Sequence, residues 1–141
     1  MAGTVTQALT EVRGRAGELV AKILTFTCVG DAANGTIPDT DTTTSITAQI
    51  KGWFIDKIHT VVGSPGPTAD SDVYIKDTDA LDLLGGAGVD QLDNATDHIV
   101  YPLATLVHTR PLIDGALTLD VDNQAVTEAA YTVKVFIVAG L

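Results

Sequence analysis

The chain is poor in cysteine, aromatic side chains and positive charge, and each scarcity removes a class of function. Its one cysteine, Cys28, excludes an intrachain disulfide and supplies no thiolate pattern for zinc. It lies in the apolar run from Val20 to Val29 and is expected to be a buried, inert thiol rather than a nucleophile. Aromatic residues make up 5% of the chain, which is thin for a surface that stacks on sugars. Eight Lys and Arg stand against eighteen Asp and Glu, a net charge of −10. That leaves no basic face for phosphate contacts and argues against a nucleic-acid partner. No apolar run approaches the roughly 20 residues that a membrane-spanning helix needs. The first residues lack a basic start followed by an apolar stretch, so no secretion signal is expected. The protein is read as made in a cytoplasm and then retained there or built into an assembly.

What is present is apolar content and turn chemistry. The 141 residues have the length of one domain, and 45% of them are hydrophobic. With a mean hydropathy of +0.26, some apolar surface is expected to be covered by a partner or by other copies. Residues 1–19 are read as an N-terminal arm: Leu9, Val12, Ala16 and Leu19 have helical spacing, but Gly14 and Gly17 each cost about 1 kcal/mol in a helix interior. Residues 20–141 are read as the folded domain. Strands are expected at Val20–Val29, covered on both faces, at Ser45–Ile50, with Ile46, Ala48 and Ile50 on one side, and at Trp53–Val62. Further strands follow at Asp72–Asp77, Leu81–Leu84, Asp97–Leu103, Ala116–Asp122 and Tyr131–Ala139.

Punctuation separates these strands. The run Gly63-Ser64-Pro65-Gly66-Pro67 breaks a ladder, and Gly85-Gly86-Ala87-Gly88 marks a bend where backbones approach closely. Asp114-Gly115 reads as a two-residue hairpin and Asn34-Gly35 as a shorter one inside the long loop Gly30–Thr44. Gly52 is a bend where the chain changes sheet. About eight strands, twenty threonines and no long helix predict an all-β fold. The expected architecture is a single antiparallel β-sandwich with jelly-roll connections and an N-terminal arm.

No residue constellation carries catalytic chemistry. The glycine loop lacks the Lys and hydroxyl residue of a phosphate loop. Asp77, Asp79 and Asp82 fail the EF-hand pattern, because Leu81 and Asp82 stand where a ligand and a glycine are required. His59, His98 and His108 have no metal-motif spacing. Asp97 adjoins His98 and would face away from it in a strand, and Ser64 lies in a Pro-Gly turn, so no local triad forms. The expectation is therefore a protein that is not an enzyme and holds no cofactor or metal.

Two series carry a family resemblance. One is Gly52, Ile58, Pro65, Pro67-Thr68, Asp72-Val73, Asp77, Asp82-Leu83-Leu84-Gly85-Gly86-Ala87-Gly88 and Asp93-Asn94-Ala95-Thr96. The other is Pro111-Leu112-Ile113-Asp114-Gly115-Ala116-Leu117-Thr118-Leu119 with Asn123, running into a final apolar strand. Together, over roughly Gly52 to Val138, they resemble small virion structural proteins of tailed bacteriophages, among them decoration (cement) proteins and head-fibre components. The resemblance implies a phage virion protein on the capsid exterior that binds the major capsid protein of the assembled shell and stabilises it.

A homo-oligomer, such as a trimer, would bury the apolar excess. The alternative is a receptor- or glycan-binding β module of a fibre or tail, with a solvent-facing aromatic such as Trp53 or Tyr74. Lying outside the expected core, Val5, Leu9, Val12, Arg13 and Arg15 of the arm and Asp39 and Asp41 of the long loop are the expected partner-binding residues.

Overall fold

A computed structural model of the chain describes residues 2–140 as two antiparallel layers around one core. Strands β1 (Thr4–Arg13), β2 (Leu19–Val29), β4 (Phe54–Val62), β6 (His98–Val100) and β10 (Ala130–Val138) form a five-stranded sheet in the order β1-β2-β10-β4-β6. Strands β3 (Thr40–Asp41), β5 (Asp72–Lys76) and β9 (Thr118–Asp122) form a second sheet in the order β3-β9-β5. β7 (Leu103–Ala104) and β8 (Val107–His108) make a separate hairpin. The all-β, sandwich-like architecture is as expected. A jelly roll divides eight strands between two sheets; here the division is five, three and two, and the fold is best described by its own strand order.

Alternation builds the core. In β2 the side chains of Leu24, Phe26 and Cys28 point inward, and in β10 those of Val133, Val135 and Ile137 do, all fully buried. They meet Val73 and Ile75 of β5, Leu119 of β9, and Ile46 and Ile50. Burial pushes the Cys28 thiol up to about 12, as befits an inert sulfur. Covering on both faces does not hold for β2. Only alternate residues are buried, because no second layer lies over the outer face of this sheet.

Four further expectations are corrected. Residues 1–19 do not form a detached arm within the described range: β1 is the edge strand of the large sheet, paired with β2 from Thr4↔Val29 to Arg13↔Leu19. Its alternating Thr-Val-Thr-Gln-Ala-Leu-Thr pattern has period two, and the glycines that weaken a helix sit in the β1–β2 turn, with Gly17 at φ +84°. Ser45–Ile50 is not a strand but lies in helix α1 (Thr44–Ile50), capped by Thr43, whose hydroxyl accepts from Ile46 N at 3.2 Å. Ile46 and Ile50 are the buried pair, a helical spacing of four that period two also fits, while Ala48 is exposed. Leu81–Leu84 forms no strand beyond single bridges, since Asp82 Oδ1 accepts from Ile75 N and Leu84 N as in a turn.

Asp114-Gly115, finally, is a crossover rather than a hairpin. Ile113 N donates to Trp53 O at 2.8 Å in one layer, whereas β9 pairs with β3 and β5 in the other. The glycine loop behaves as expected. A Cβ on Gly88 would overlap the Val73 carbonyl oxygen, and one on Gly85 would overlap that of Leu103.

Candidate functional site

The two outer faces of the sandwich differ in charge. Directly paired residues share a face, so the ladder register lists what the five-stranded sheet presents outward. One row reads Thr6, Thr27, Thr132 and Val61; the next reads Ala8, Thr25, Lys134, His59 and Ile99; a third reads Thr10, Ile23, Phe136 and Lys57. These rows hold two lysines and no carboxylate, in a chain with eighteen acidic residues; Asp97 lies at their margin, lining a hollow with His59, Val61 and Ile99. The His59 and Phe136 rings meet at 4.3 Å between centroids, with Lys57 Nζ 5.1 Å from the Phe136 ring. Burial, and then the Lys57 and Lys134 charges, hold His59 below the ordinary histidine range. His59 Nε2 and Thr132 Oγ1 are buried without a hydrogen-bond partner, a condition that costs free energy until something supplies one.

The outer face of the three-stranded sheet is acidic, and several of its polar groups are paired within the chain. Lys76 Nζ lies 2.6 Å from Asp120 Oδ2. Asp72 accepts from Asp90 N at 2.9 Å and from Asn123 Nδ2 at 2.7 Å. Partial burial and the Asp120 carboxylate raise Asp39 and Asp122 above the ordinary carboxylate range. Asp39, Asp41, Lys76, Asp77 and Thr118 line a cleft of about 390 Å³. Among the described residues, no group of three His, Cys, Asp or Glu could hold a metal ion.

A third feature is the exposed apolar surface between residues 99 and 112. Ile99, Tyr101, Leu106, Val107 and Leu112 are all exposed, Leu106 to 91%. Tyr101 stacks edge-on against His108 at 4.9 Å. The β1 edge adds a run of ten residues with one side unpaired, the kind of edge to which another chain can add.

The expected partner-binding residues are dispersed. Val5 and Leu9 point inward and pack against the core, whereas Val12, opposite Ala21, is on the outer face; helical spacing had placed Leu9 and Val12 together. Arg13 pairs with Glu11 at 2.6 Å, and Arg15 is exposed in the β1–β2 turn. Asp39 lies in the acidic cleft, and Asp41 accepts from Thr118 Oγ1 at 2.6 Å. The two predicted elements do touch: Gln7 Nε2 donates to Asp41 O, and Thr43 N donates to Gln7 Oε1. Of the aromatics considered for sugars, Trp53 packs against the core beneath Lys22 Nζ, 4.1 Å from its ring, and Tyr101 is the exposed one.

Sequence reasoning missed Lys134, Phe136 and His59. The signal was the alternation of Thr132, Lys134 and Phe136 with Tyr131, Val133 and Val135 in a run read as nearly all apolar. The chain matches no protein-family model, no curated protein and no solved structure.

Proposed function

We propose that the protein is a phage capsid decoration protein that adheres to the assembled shell through the outer face of its five-stranded sheet. The observation that carries this reading is that face itself: broad, with Lys57 and Lys134 across its middle and a single carboxylate, Asp97, at its β6 margin, and with two buried polar atoms lacking hydrogen bonds. The two-layer scaffold behind it holds these side chains in register. Lys57 and Lys134 complement an acidic partner surface, while Ile23 and Phe136 supply apolar contact. The acidic opposite face stays in solvent and keeps the coated particle soluble. Binding to the assembled state alone stabilises it by mass action, and many copies on one shell multiply weak contacts.

Co-sedimentation with shells stripped of this protein, paired with heat release of their contents, tests the proposal. Saturable binding that raises the rupture temperature is expected. No binding by folded protein overturns it and moves the assignment to a glycan-binding fibre module, with Tyr101 as its exposed aromatic.

A further inference from the structure

We infer that the chain self-associates head to tail, the apolar tip of the β7–β8 hairpin of one copy seated in an apolar groove across β2, β10 and β4 of the next. The tip is built at a conformational cost. Its central residues Thr105 and Leu106 have φ of +50° and +67°, the two positive values of a tight hairpin turn that ordinarily takes Asn-Gly. A β-branched residue and a leucine are unfavourable there. The turn spends that strain on exposing Leu106 to 91% and Val107 to 66%. Its root is firmly held: Leu103 N donates to Leu84 O and Thr109 N to Pro102 O, both at 3.0 Å. Strained and apolar, the tip takes no part in the core of its own chain.

The groove has about 270 Å³ of open volume and is lined by Thr27, Val29, Val61, Val62, Ala130 and Thr132 among others, none of them charged. That is several times the roughly 30 Å³ share of one water molecule, enough for a branched side chain. Thr132 Oγ1, buried there without a partner, offers a hydrogen bond to the arriving turn.

One chain cannot join the two features. The hairpin root meets Asp56, through His108 Nε2 at 3.4 Å from Asp56 O and Arg110 Nε at 2.8 Å from Asp56 Oδ1. The groove begins at Val61, roughly 15–20 Å further along β4. Charge favours a second copy as the occupant. In a chain of net charge −10, neither residues 103–107 nor the groove lining carries a charge. Such a contact is heterologous and closes into a ring if the rotation permits.

Sedimentation equilibrium across the micromolar range tests the inference, comparing the wild type with the Thr105→Asn/Leu106→Gly double variant. The variant relieves the turn strain and removes the apolar tip, so it is expected to melt higher than the wild type yet sediment as a monomer, while the wild type is multimeric. Mixing Leu106→Cys with Val61→Cys protein under oxidation is expected to give a disulfide-linked dimer that neither forms alone. A monomeric wild type, a double variant that still associates, or failure of the mixed pair to cross-link overturns the inference. The groove takes in the Thr27, Thr132 and Val61 row of the face proposed to meet the shell, so the two contacts divide that face, the shell taking the rows of Lys134, His59, Phe136 and Lys57. Self-association without shell binding would remove only that reading, and a monomer that binds shells would remove only this one.

Discussion

The two outer faces of the sandwich are made from the same strand chemistry and end in opposite conditions. On the three-stranded sheet, Asp72, Asp120 and Asp122 stand beside Lys76 and Asn123, and the main groups are hydrogen-bonded or ion-paired within the chain. On the five-stranded sheet, threonines and apolar residues surround Lys57, His59 and Lys134, and two buried polar atoms find no partner. A face that satisfies itself has little to gain from contact. A face left unsatisfied and poor in its own chain's dominant charge gains from an acidic or apolar partner. The difference therefore separates the side that meets solvent from the side that meets another surface.

Both faces share one core, so the first way to sharpen the comparison is to weigh two phenylalanines. Phe26→Ala, inside the core, is expected to cost about 3–5 kcal/mol of stability. Phe136→Ala, on the outer face, is expected to cost less than about 1.5 kcal/mol, because its site is open to relaxation and solvent. Denaturant titration measures both. Equal losses would mean that the outer face is part of the folding core rather than a contact surface.

Charge comes next. The double variant Lys57→Glu/Lys134→Glu is expected to weaken binding to stripped shells by about 10- to 100-fold while circular dichroism stays unchanged. Asp122→Asn on the opposite face is expected to leave binding as it was. The reverse outcome would exchange the roles of the two faces.

Smaller effects appear in the pH dependence of stability, with opposite signs on the two faces. Asp39 and Asp122 have folded pKa values above their unfolded ones, so the folded state takes up protons first as pH falls. Their ionised forms thus destabilise the protein at neutral pH. Asp122→Asn is expected to raise stability at pH 7 by less than about 1 kcal/mol, a gain that fades as pH drops into the ordinary carboxylate range. His59 has the reverse sign. Its folded pKa lies below the ordinary histidine value of about 6.5, so the unfolded chain is protonated first and stability falls as pH drops through about that value. In His59→Gln that part of the slope is expected to vanish in melts at successive pH values.

The layered all-β class was legible because alternation and turn residues are local signals. The Gly85–Gly88 bend was legible too, since close backbone approach demands glycine in this or any context. Ser45–Ile50 was not, because Ile46, Ala48 and Ile50 fit a strand period while Ile46 and Ile50 fit a helical one; the Thr43 cap decided between them. Asp114-Gly115 carried a hairpin signal, but the strands on either side find partners in different layers, and that is a long-range choice. The candidate site was hardest to read. Which face of β10 is covered depends on where the second sheet lies, and Thr105-Leu106 contains none of the residues that announce a turn.

The most direct measurement is hydroxyl-radical footprinting of side chains in the free and the shell-bound protein. The account predicts that Phe136 and Ile23 become protected on binding while Tyr74, on the acidic face, keeps its reactivity. Protection of Tyr74 with Phe136 and Ile23 unchanged would contradict it and assign the contact to the acidic side.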